Sequence, residues 1–244
     1  MILWRLKRLI KRNAFALSKE PFAKGQSDRA IEIPWAIAKA RGMKEILEIG
    51  FARGEEIWIK SLLSLPRKEL YGIDLYDRSM WRLPELMGKM KNVRGDILHP
   101  PYKESSFDCV LCISTLEHVG MNSHKVRNPY GAPPWPTEPE WFLKHKEDFE
   151  TVKEIKRILK NGGKLLLTVP FGKLSNYGSH IQYDATRLKQ IAASTSLLIT
   201  DEAYFEYRFD GWYTSSAEKL SDVLFQTCGA PASTGLACLE LRKI

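Results

Sequence analysis

Apolar and polar positions follow two alternating rhythms along this chain. Short apolar runs bounded by glycine, proline or charge occupy residues 46–49, 70–74, 92–94, 107–114, 164–169, 197–209 and 236–241. Runs of that length read as strands. Between them, apolar side chains recur at steps of three and four. That spacing predicts helices from near Pro34 to Arg41, over 55–64, over 77–90, over 184–192 behind a capping Asp184, and over 216–225. The clearest helix carries Phe142, His145, Phe149, Val152, Ile155 and Leu159 on one face, and Asn161-Gly162-Gly163 is expected to end it. Strand and helix alternating in this way predict a doubly wound α/β fold, a parallel sheet covered by helices on both faces.

Two stretches break the rhythm. Residues 120–139 hold Pro129, Pro133, Pro134, Pro136 and Pro139, with Tyr130 and Trp135 among them. Residues 171–183 are polar and aromatic. Loops of such length usually carry function or disorder. Tyr130 and Trp135 could lid a site or belong to a plain surface loop.

Length and charge refine the picture. At 244 residues the chain suits one well-buried domain, expected over 25–244 with 120–139 as an inserted loop. The net charge of +8 is uneven: residues 1–24 contribute +6, leaving +2 for everything else. A near-neutral body argues against nucleic acid as a partner. The basic arm also holds Ile2, Leu3, Trp4, Leu6, Leu9 and Ile10. Residues 1–12 therefore read either as a packing helix or as an amphipathic helix able to touch an anionic membrane peripherally. No apolar run is long enough for a membrane span or a signal peptide, so a cytoplasmic location is expected. Cys109 and Cys112 have C-x-x-C spacing, but positions three apart on a strand face opposite ways. They read as core thiols, and no metal is expected.

The densest chemistry lies in ILEIGFARG, residues 46–54. A strand runs into a turn of small residues, Gly50, Ala52 and Gly54, and a helix follows. Such a turn lets a ligand approach the backbone and the N–H groups at the helix start. Asp74 ends the next strand, where a carboxylate can accept both hydroxyls of a ribose. The turn is E-x-G-x-A-x-G rather than the G-x-G-x-x-G of pyrophosphate binders. Glu48, two residues before the first glycine, would repel a pyrophosphate and favour a cationic ligand. The pattern implies an adenosine-bearing ligand with positive charge near the turn.

These residues resemble a class I S-adenosylmethionine-dependent methyltransferase, of Rossmann-like fold and the methyltransferase-11 type. ILEIGFARG resembles the first motif, with Ala52 where the middle glycine is usual. YGIDL resembles the second-strand acid motif, RGDIL the acid near the adenine, FDCVLCISTLEHVG the fourth strand with its Glu117-His118 pair, and RILKNGGKLLLTVPFG the helix and fifth strand. The resemblance runs from about residue 44 to 171. It implies a seven-stranded, mostly parallel sheet with the last strand antiparallel, and S-adenosyl-L-methionine as methyl donor. It also implies that Glu48, Gly50, Ala52 and Gly54 hold the methionyl end and Asp74 the ribose. Leu75, Asp96 and Ile97 would then frame the adenine, and Ser114 would line the pocket near the sulfonium.

A hydroxyl acceptor can call for a general base, and the candidate catalytic residues are His118, after the fourth strand, and His180, in SNYGSHIQYD. Each also has a plainer reading, His118 as pocket shape and His180 as an ordinary loop residue. The D/N-P-P-Y/F motif of nucleobase and glutamine methyltransferases is missing after the fourth strand, which reads ISTLEH. A small-molecule, glycan or lipid-linked acceptor is therefore expected, methylated at oxygen. The alternatives are a non-catalytic S-adenosylmethionine-binding protein and a nicotinamide-dependent oxidoreductase, which the E-x-G-x-A-x-G spacing opposes.

Overall fold

The computed structural model describes residues 21–121 and 139–244. The readings made for the arm, and for Tyr130 and Trp135, lie outside these residues.

The sheet strands are β1 (Glu45–Ile49), β2 (Glu69–Asp74), β3 (Lys91–Arg94), β4 (Phe107–Ile113) and β5 (Leu159–Pro170). Further along, β6 (Ser175–Asn176) and β7 (Ile181–Gln182) form a separate ribbon, and β8 (Leu197–Arg208), β9 (Gly211–Ser215) and β10 (Gly235–Lys243) complete the sheet. The order is β3-β2-β1-β4-β5-β10-β8-β9, with the first five parallel. The last strand is antiparallel to both neighbours, as expected. The sheet has eight strands rather than seven. The run at 197–209 turns back through Phe209-Asp210, and β9 pairs with it as a hairpin. Gly211 sits at φ +138, where an added Cβ would stand 2.7 Å from the Phe22 carbonyl. Only glycine suits that crossing.

Period-two patterning sorts the strand residues between two cores. Leu47, Ile49, Val110, Cys112, Leu165 and Leu167 face one layer; Ile46, Cys109, Leu111, Ile113 and Leu166 face the other. Cys109 and Cys112 thus point to opposite sides, and both are free and buried. The second layer is covered by α1 (Arg29–Ala40) and α2 (Glu56–Leu63). After these come α3 (Pro84–Met87), α4 (Pro139–Lys144), α5 (Glu147–Ile158), α6 (Ala185–Thr195) and α7 (Ala217–Leu220). The first layer is covered by α5 and α6.

Several helix boundaries differ from expectation. Helix α1 starts at Arg29 and holds Pro34 inside it, because buried Ile31 and Glu32 anchor the turn ahead of the proline. The expected helix at 142–159 is two helices: α5 begins only at Glu147, with an acid-rich first turn that suits the helix dipole. Asn161–Gly163 fall within β5, at the irregularity in its pairing with β4. The stretch at 77–90 is a 3₁₀ turn at Arg78–Met80 followed by α3. The helix expected over 216–225 shrinks to α7, while Asp184 caps α6 by accepting from the Arg187 amide at 2.8 Å.

Candidate active site

The C-terminal ends of the parallel strands are where ligands bind in sheets of this kind. The turn after β1 is held rigidly there. Gly50 adopts φ +83, and a Cβ would stand 2.6 Å from Thr115 Oγ1. That hydroxyl donates to the Ile49 carbonyl at 3.1 Å, tying the turn after β4 to the turn after β1. Phe51–Arg53 form a 3₁₀ turn closed by Gly54 N–H on the Phe51 carbonyl at 2.9 Å. Phe51 is fully buried, edge-on to Trp81 at 5.0 Å.

Asp74 belongs to the same unit. Its Oδ2 accepts from the Ala52 amide at 2.8 Å and its Oδ1 from the Tyr76 amide at 3.0 Å. Burial raises the Asp74 pKa, and the backbone N–H bonds oppose the rise. Beside it Leu75 is 64% exposed, an apolar face left open next to a carboxylate. The Gly95 amide donates to the Asp74 carbonyl at 2.9 Å, placing the turn after β3 alongside. In that turn Asp96 Oδ1 accepts from the Leu98 amide at 2.9 Å, and Ile97 is buried.

Glu48 is buried on the α1–α2 side. Trp58 Nε1 donates to its Oε1 at 2.7 Å, and Oε2 has no partner among the described residues. Burial pushes its carboxyl well above the ordinary range.

The turn after β4 completes the arrangement. Ser114 takes φ +44, and its hydroxyl donates to Glu32 Oε1 at 2.5 Å. Thr168 Oγ1 donates to the same oxygen at 2.6 Å, and Arg29 to the other at 2.9 Å. Glu32 is thus a buried carboxylate that fastens α1 over the ends of β4 and β5. Asp28, one turn before it, accepts from Ser233 Oγ at 2.9 Å; burial and the Glu32 charge raise its pKa to about 6. Sequence reasoning missed Asp28, Arg29 and Glu32. The available signal was Glu32 between Ile31 and Ile33, an acid within an apolar run.

Residues 118 and 180, distant in sequence, come together with ring centres 6.0 Å apart. His118 Nδ1 lies 2.8 Å from the Ser179 carbonyl. A carbonyl only accepts, so Nδ1 carries the hydrogen and Nε2 the lone pair. The His118 side chain is about half exposed; desolvation lowers its pKa, and the bond to the Ser179 carbonyl opposes the fall. His180 is buried and stacks on Tyr177 at 5.1 Å; its Nδ1 meets Ser179 Oγ at 3.0 Å. Burial, then the His118 charge, push its pKa down to about 3.

Residues 47–128 match the family described as Methyltransferase domain. That stretch, about a third of the chain, is similar to a methyltransferase domain. The match takes in the β1 turn, Asp74, Asp96, Ser114 and the Glu117-His118 pair. An uncharacterized protein of Methanocaldococcus jannaschii is 34% identical over 93 residues, which is 38% of this chain and 29% of that protein. This chain therefore matches less than a third of that relative's length. In solved structures the fold is shared with the N-methyltransferase NodS of Bradyrhizobium japonicum in complex with S-adenosylhomocysteine. There the TM-score is 0.51 and the identity 14%, over 99% of this chain and 98% of that one. It is also shared with 1,6-didemethyltoxoflavin-N1-methyltransferase of Burkholderia thailandensis, at TM-score 0.51 and 13% identity, over 84% and 72% of the two chains. Identities this low carry the fold.

The residues present fit S-adenosylmethionine. Gly50 and Ala52 form a tight turn at the C-terminal end of β1, with the Ala52 amide bonded to Asp74. The unpartnered Oε2 of Glu48 suits a positively charged group, and Asp74 beside exposed Leu75 suits a nucleoside.

Proposed function

We propose that this protein transfers the methyl group of S-adenosylmethionine to an oxygen of a small-molecule, glycan or lipid-linked acceptor, with His118 as general base. The observation that carries the reading is the His118 tautomer. With Nδ1–H committed to the Ser179 carbonyl, Nε2 carries the lone pair of a side chain that is about half exposed. Its lowered pKa keeps that lone pair available at neutral pH. A hydroxyl acceptor benefits from such a base because its proton must leave as the new bond forms.

In this reading Glu48 and the turn Gly50, Ala52 and Gly54 hold the methionyl end, and Asp74 takes the ribose hydroxyls. Leu75, Asp96 and Ile97 frame the adenine, and Ser114 positions the turn beside the sulfur. The donor supplies a methyl carbon already activated by a sulfonium leaving group. The chain's own work is then alignment, removal of water and one proton transfer from acceptor to Nε2. His180, held neutral, orients Ser179 through its hydroxyl, and the Ser179 carbonyl orients His118. His180 is thus a positioning residue. The NodS and toxoflavin enzymes are named as acting on nitrogen, but at 13–14% identity that does not carry over to this acceptor. Residues 1–12 would bring the domain to an anionic surface, which suits a lipid-linked acceptor.

The test is labelled methyl transfer into fractionated cell extract, followed by His118→Asn on whichever fraction is labelled. The expected result is a fall in kcat of about a hundredfold or more with S-adenosylhomocysteine affinity unchanged. Full activity in the variant would remove His118 from the chemistry.

A further inference from the structure

Glu117 follows β4 directly and is 2% exposed. Its Oε2 has no hydrogen-bond partner among the described residues. Its Oε1 stands 4.0 Å from His118 Nε2, the nitrogen assigned above as the base. A carboxyl this buried, with one oxygen unused, costs stability that a purely structural residue would not need to spend. Asp28 at the N-cap of α1 and Arg29 and Glu32 on it lie within electrostatic reach, as do Cys112 on β4 and Tyr183 after β7. Arg29 is the one fixed cation named among these groups, and Glu32 already holds it at 2.9 Å. The neighbourhood is therefore short of positive charge on the side where β1 and β4 end.

We propose that Glu117 is the residue that reads the charge on the donor sulfur, favouring the sulfonium of S-adenosylmethionine over the neutral thioether of S-adenosylhomocysteine. The proposal rests on the methyl-donor reading above and adds to it the basis of substrate-over-product selection. Methyl transfer breaks the carbon–sulfur bond with its electron pair left on sulfur and forms the carbon–oxygen bond. The acceptor proton goes to His118 Nε2. Positive charge then leaves the sulfur and stands on His118, 4.0 Å from the same carboxyl. One buried carboxylate can thus answer the charge before and after transfer, while the spent donor, now neutral, loses its partner. Burial keeps the carboxyl protonated until a cation arrives, since its pKa lies well above the ordinary range.

Two measurements on the full chain test this. The first is calorimetric titration of wild type and Glu117→Gln with S-adenosylmethionine, S-adenosylhomocysteine and sinefungin, whose amine carries positive charge without a transferable methyl. The variant should bind S-adenosylmethionine and sinefungin about tenfold more weakly and S-adenosylhomocysteine within about twofold of wild type. Equal weakening of all three, or none, overturns the proposal and leaves the methyl-donor reading standing. The second uses wild type alone and stands even if the variant fails to fold. Titrations repeated in buffers of different ionisation enthalpy count the protons released. S-adenosylmethionine should release more than S-adenosylhomocysteine, by up to about one proton; equal release overturns the proposal. Failure of all three ligands to bind wild type overturns the donor reading and this inference together.

Discussion

At the residue scale, the site depends on where individual protons sit. His180 is the clearest case, because burial and the His118 charge take its pKa from 6.5 down to about 3. The folded protein binds that proton less readily than the unfolded chain. The stabilising contribution is therefore complete above about pH 6.5 and is lost as pH falls toward 3. Asp28 works with the opposite sign: its raised pKa, about 6, makes it cost stability as pH climbs from 3.8 through 6. A direct comparison of variants isolates the histidine. His180→Gln should lose less stability than wild type between pH 6.5 and 4, the gap narrowing by at most about 1.4 kcal/mol per pH unit. Urea unfolding at pH 7, 5.5 and 4 measures it; two curves that stay parallel would mean His180 titrates normally.

At the scale of elements, one buried ion pair ties α4, α5 and α6 together. Arg187 on α6 is buried and donates to both oxygens of Asp148 on α5, at 2.7 and 3.0 Å. It also donates to the carbonyls of Phe142 and His145 at the end of α4, at 3.2 and 2.9 Å. Removing it would leave the Asp148 carboxylate buried and unpaired. Arg187→Met should cost about 3–5 kcal/mol in denaturant unfolding, whereas the double change with Asp148→Leu should recover much of that loss. A cost below about 1 kcal/mol would mean that the pair is not buried in solution.

How much of this was legible in the sequence depended on how local the signal was. Strand runs such as 46–49 and 107–114 carried their own period and boundaries, so the mostly parallel sheet could be read directly. The two-face assignment of Cys109 and Cys112 followed from strand geometry alone. The hairpin strand β9 was missed because its signal was a single Asp-Gly after an already long strand, and what demands Gly211 is the distant passage of Phe22. The break between α4 and α5 was hidden because His145 kept the apolar spacing while its backbone left the helix. Of the candidate site, the turn, Asp74 and Asp96 were visible as motifs. Arg29 and Glu32 were not, since their meaning comes from Ser114 and Thr168, far away in sequence.

At the scale of the whole molecule, the charge divides into a basic arm and a near-neutral body. No helix among the described residues is long and apolar enough to cross a membrane. If the arm recruits the domain to a lipid-linked acceptor, deletion of residues 1–12 should reduce sedimentation with anionic liposomes, and added salt should do the same to wild type. Unchanged sedimentation would make the arm a packing element.

The central claim is that the β1 turn and Asp74 form a site for an adenosyl sulfonium donor and not for a dinucleotide. Side-by-side calorimetric titration of the full chain with S-adenosylhomocysteine and NAD tests it most directly. The expected result is saturable binding of S-adenosylhomocysteine, weakened about tenfold or more by Asp74→Ala, which removes charge-assisted bonds worth roughly 1.5–3 kcal/mol, and no measurable binding of NAD. Saturable binding of NAD with none of S-adenosylhomocysteine would contradict it.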